Sequence, residues 1–190
     1  FLQVSPQYAR ADLLLDFTGG SANTFGGNAT VGWEFTLSSP VLLNGLGFWD
    51  NGSDGLINPH DVGIWNSASP STLLAFTTLT TASSTAVASA SPTGRWLFNA
   101  IPSITLSAGT YVVGATIVSN DPDLQRFAAT ASLFSGATFV QARDISGASL
   151  TYPSPASVFN DGVFGPNLQV SPIPEPASTA LFLGGLILCL

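Results

Sequence analysis

The chain has 190 residues, enough for one well-packed domain and short for two. Only 8% of its residues are charged and the net charge is -7; the four cations, Arg10, Arg95, Arg126 and Arg143, are too few and too scattered to displace counterions, which excludes nucleic acid as a partner. Cys189 is the single cysteine, so an intramolecular disulfide and a cysteine-rich zinc site are excluded as well.

The first segment reads "FLQVSPQYARADLLLDF". Ala9-Arg10-Ala11 has the small-x-small spacing that precedes signal-peptidase cleavage, which makes residues 1–11 a signal-peptide remnant and Asp12 the mature start. The alternative is an ordinary edge strand over Phe1–Tyr8.

Residues 12–170 show short apolar runs separated by turn chemistry, and no stretch keeps helical periodicity over three turns. "VGWEFTL" alternates, which places Val31, Trp33, Phe35 and Leu37 on one face of a strand. "LLNGLGFW" (42–49) reads as a second strand and leads into the polar loop "DNGSDGLINPHD" (50–61). "GRWLFNAI" puts Trp96 and Phe98 opposite Leu97, and "GTYVVGATIV" (109–118) is a β-branched run suited to a central strand covered on both faces. "ATFVQAR" (137–143) follows in the same manner. Ser39-Pro40, Asn51-Gly52, Asp54-Gly55, Ala108-Gly109 and Asp161-Gly162 punctuate these runs. Roughly eight to ten strands at this spacing predict an all-β, antiparallel β-sandwich or jelly roll.

The chain ends differently. Pro172, Pro174 and Pro176 make residues 171–176 an extended linker, since proline neither donates to a ladder nor sits inside a helix. Residues 177–190 are free of charge and apolar all round, which predicts a short apolar helix. The run is 14 residues long where a span needs ~20, so it is read as a membrane segment that continues beyond the chain. "IPEPAS" followed by this Gly- and Leu-rich stretch resembles the PEP-CTERM sorting signal of Gram-negative bacteria. The resemblance covers 172–190 and makes Pro174-Glu175-Pro176 the sorting motif. It implies an exosortase-type processing enzyme as partner, inner-membrane transit through the C-terminal segment, and a final place at the cell surface or outside the cell. The order of phrases over about residues 30–120 is similar to a bacterial sandwich domain of unassigned function that is often seen with this signal.

Candidate sites are few. Asp50, Asn51, Asp54 and Asp61 offer hard oxygens in a loop that Gly52 and Gly55 allow to fold inward, which suits calcium; the plainer reading is a turn between strands. His60, the only histidine, follows Pro59 in that loop, where a solvated position is expected. Trp33, Trp49, Trp65 and Trp96 lie in strand-like phrases and read first as core. Trp49 and Trp65 flank the loop, so with His60 they are the candidates for ligand contact. No spacing singles out a catalytic pair among the eleven acids. The sequence therefore points to an exported, structural or adhesive matrix protein rather than an enzyme. An exopolysaccharide-binding module, with or without calcium, is the alternative, and a secreted hydrolase comes third.

Overall fold

The computed structural model describes residues 11–70, 72–154, 156–159 and 162–173. The signal-peptide reading of residues 1–10, the Pro174-Glu175-Pro176 motif and the apolar helix expected over 177–190 lie outside the described residues.

Among the described residues the chain is all-β and antiparallel, with fifteen strands and no helix. In chain order they are β1 (Asp12–Leu13), β2 (Leu15–Thr18), β3 (Ser21–Asn23), β4 (Ala29–Leu37), β5 (Val41–Asn51), β6 (His60–Asn66), β7 (Leu73–Leu79) and β8 (Thr85–Ala88). There follow β9 (Gly94–Leu106), β10 (Gly109–Ile117), β11 (Gln125–Phe127), β12 (Thr130–Leu133), β13 (Ala137–Ser146), β14 (Val163–Phe164) and β15 (Pro166–Pro172). One five-stranded sheet has the order β1-β15-β5-β9-β8 and a second has β13-β4-β10-β6-β7. A three-stranded sheet, β14-β11-β3, and a pair, β12-β2, complete the fold. The two large sheets hold ten strands, the upper end of the expected number. The surplus, β2, β3, β11, β12 and β14, comes from stretches of two to four residues that carry no alternation long enough to read.

Alternation in the second sheet decides which side chains enter the core. Val31, Trp33 and Phe35 of β4 are fully buried on one face, and Trp33 lies opposite Val113 of β10, which in turn lies opposite Ile64 of β6. β10 sits between β4 and β6 and buries Val112 and Val113 on its two faces, as its continuous apolar run predicts. The Trp33 indole N–H reaches the other large sheet and donates to the Pro166 carbonyl at 2.8 Å. Phe48 of β5 meets His60 of β6 ring on ring, with centroids 4.0 Å apart and planes 10° from parallel. On the other face of β5, Trp49 pairs with Trp96 of β9, and both pack against Phe17 of β2.

The far face of the second sheet is covered as well. Gly32, Gly114 and Gly63 are register partners across β4, β10 and β6, forming a row without side chains. A Cβ on Gly63 would stand 2.8 Å from the Leu73 side chain, 3.0 Å from Leu150 and 3.1 Å from the Trp65 indole. One on Gly114 would meet Trp65 at 3.4 Å and Pro153 at 3.5 Å. The indole of Trp65 and the segment around Leu150 and Pro153 therefore occupy the space these glycines leave. Backbone contacts from Ser157 N to Ala142 O and a bridge between Arg143 and Ala156 hold the same segment along the outer edge of β13.

β15 corrects one expected boundary. It runs two residues past 170, with Ser171 opposite Leu42 and Pro172 opposite Val41. Proline is tolerated there because it is the last strand residue, and β1 on the other side reaches only as far as Val170.

Candidate functional site

The densest buried polar cluster forms where β6 begins. In β6, Val62 and Ile64 point into the core, and one more step of the same alternation carries His60 inward, fully buried. This corrects the solvated position expected for a loop histidine: His60 is the first residue of a strand and stacks on Phe48. Its Nδ1 donates to the Thr116 carbonyl at 2.7 Å, and its Nε2 lies 3.1 Å from Asp123 Oδ2. With a carbonyl at one nitrogen and a carboxylate at the other, the ring is placed to donate at both ends.

Asp123 is 5% exposed and collects more than the histidine. Its carboxylate accepts the backbone N–H of Ile57 at 2.9 Å and of Asn58 at 2.8 Å. Burial alone pushes this carboxyl up; the bonds from His60, Asn58 and Ile57 and the field of the imidazole outweigh burial and hold it below the ordinary value. Asp121, equally buried, accepts from the Asn58 side chain at 3.0 Å, from Asp123 N at 3.1 Å and from Val118 N at 3.1 Å. The two aspartates thus tie the turn after β10 to the loop before β6. Neither is among the candidates the sequence offers, because nothing in linear spacing joins Asp123 to a histidine 63 residues away.

The residues expected to gather around calcium are placed apart in their bonding. Asp50 is buried and its Oδ2 accepts from Arg95 Nε at 2.7 Å, while Oδ1 accepts from Gly55 N at 3.0 Å. The Asn51 side-chain carbonyl accepts from Arg126 Nη2 at 2.8 Å. Asp61 accepts from the Thr78 hydroxyl at 2.5 Å, and Asp54 stays exposed. Among the described residues, one group of three acidic or histidine side chains brings its donor atoms within 4.8 Å of one another, and it is His60, Asp121 and Asp123. Those three are the residues that could hold a metal ion. A nitrogen and two carboxylates suit a small transition-metal ion better than calcium, which wants six to eight oxygens. In the present geometry, however, every one of the four carboxylate oxygens already accepts an N–H.

Trp49 is fully buried between Phe17 and Trp96, and Trp65 is 4% exposed beneath Tyr152, its ring edge-on to the tyrosine at 6.0 Å. Both serve packing in this arrangement. A second buried carboxylate lies elsewhere: Glu34 of β4 is 5% exposed and binds Arg143, Gln141 and Ser67. No protein-family model matches the chain, and comparison with curated proteins and with solved structures found no significant match.

Proposed function

We propose that the chain is an exported β-sandwich protein of the cell surface or extracellular matrix, with a structural or adhesive role, delivered by a PEP-CTERM-type signal centred on Pro174-Glu175-Pro176. The observation that carries the structural role is the disposition of the aromatic and polar side chains. All four tryptophans are at most 4% exposed, and two acids of the 50–61 loop, Asp50 and Asp61, are engaged by arginine, backbone and hydroxyl partners. Two large antiparallel sheets bridged by Trp33 and by the Phe48–His60 stack support the sandwich reading. A surface built from Ser, Thr, Asn and Gly at 8% charged residues suits a protein that lives among hydrated polymers.

The test is made in an exosortase-bearing Gram-negative host with the full chain. Replacing Pro174-Glu175-Pro176 by alanines is expected to leave the protein in the inner-membrane fraction, while the parent reaches the surface or the medium. Identical distribution of the two in fractionated cells would defeat the sorting assignment.

A further inference from the structure

At one end of the second sheet, away from the histidine cluster, lies an open-mouthed cavity of about 460 Å³ lined by Glu34, Asn66, Ser67, Ala68, Gly109 and Thr110. This is within the ~300–1,000 Å³ of small-molecule sites. We infer that it is a binding site for a neutral polyhydroxylated ligand, a hexopyranose held through its ring hydroxyls.

Three features of the lining select that class. First, the charge is already balanced. Glu34 Oε2 accepts from Arg143 Nη2 at 2.8 Å and from Gln141 Nε2 at 2.6 Å, so the site holds an internal ion pair and has no net charge to offer an ion. Burial raises the Glu34 carboxyl, but the bonds from Gln141, Arg143 and Ser67 outweigh it and keep the group ionised at neutral pH. Secondly, among the described residues Glu34 Oε1 accepts only from the Ser67 hydroxyl, at 3.1 Å, which leaves it room for a ligand donor. Thirdly, the rim mixes donors and acceptors. Asn66 accepts from Ala68 N through its Oδ1 at 2.8 Å, while among the described residues no hydrogen bond engages its Nδ2 or the Thr110 hydroxyl, and both residues line the cavity. A sugar hydroxyl both donates and accepts, so adjacent hydroxyls on one ring can satisfy Glu34 and Asn66 together. The backbone frame is fixed by Ser67 N donating to Thr110 O at 3.0 Å, which joins the turn after β6 to β10.

This site goes beyond the structural role and does not depend on export. It is also separate from Trp49, Trp65 and His60, none of which lines it. The experiment is an amide-shift titration of the full chain with D-glucose, D-galactose, D-mannose and N-acetyl-D-glucosamine, each to about 50 mM, since single-sugar contacts fall in the millimolar range. At least one sugar should move the amides of Ser67, Ala68 and Thr110 in a saturable way. Asn66→Asp keeps the Oδ1 that Ala68 needs and removes the donor; Thr110→Val keeps the shape and removes the hydroxyl. Each should weaken binding by about tenfold, the usual worth of one such bond. The inference is overturned if none of the four sugars shifts those amides, or if the shifts survive both substitutions unchanged.

Discussion

Replacing Asp123 with alanine is expected to cost about 3–5 kcal/mol. The loss is more than one contact. Removing the carboxylate leaves His60 Nε2, Ile57 N and Asn58 N without their acceptor in a site where the histidine is fully buried. For a chain of this size that corresponds to a fall in Tm of about 6–20 °C. Asp123→Asn, which keeps one acceptor, should lose roughly half as much. The same residue sets an acid limit. Its carboxyl is held below the ordinary value in the folded protein, so its contribution is present above the unfolded value of about 4 and is lost as pH falls through the folded one. Glu34 has the same sign and adds to the same acid loss. Melting the parent and Asp123→Ala proteins from pH 7 downward should show the gap between them narrowing on the acid side. A constant gap would mean that Asp123 is not held low by its partners.

Trp33→Ala is expected to cost about 3–5 kcal/mol by a different route. The side chain is fully buried and touches Phe35, Phe139 and Phe164, so its loss opens a cavity at the meeting of several strands. It also strands the Pro166 carbonyl, whose bond from the indole ties β4 to β15. Trp33→Phe separates the two contributions, because it keeps most of the volume and removes the donor; a loss of about 1–2 kcal/mol is expected. Urea denaturation would read both as a lower midpoint with an unchanged slope. Equal losses in the two variants would assign the whole effect to the hydrogen bond.

What could be read in advance follows from how local each signal is. The alternation of Val31, Trp33, Phe35 and Leu37, and the unbroken run of β10, are properties of a few adjacent residues, so they predict strands and faces directly. His60 was within reach of the same rule. Ile64 and Val62 point inward, and stepping back two residues leads to the histidine, but Pro59 and the Asx-rich loop before it carried the reading toward solvent. Its partners were out of reach, because Asp121 and Asp123 come to it only through the pairing of β6 with β10. Trp65 shows the same limit. Its phrase identifies a strand residue, whereas its burial on the far face depends on glycines from three strands lining up by register. Asp50, Asn51, Asp54 and Asp61 form a ligand set in linear order, yet strand alternation sends Asp50 to Arg95 and Asp61 to Thr78.

These placements share one physical claim: the carboxylates of Asp50, Asp61, Asp121 and Asp123 take their hydrogen bonds from groups of the protein itself, so an ion would have to displace those partners. A thermal melt of the full chain at neutral pH, after EDTA treatment and then with millimolar calcium or zinc, tests it most directly. The expected result is one Tm in all three conditions. An ion that binds only the folded chain at 100 times its Kd would add about 2.7 kcal/mol, a rise of roughly 5–11 °C. A rise of that size, abolished by Asp123→Asn, would contradict the claim and make His60, Asp121 and Asp123 a metal centre.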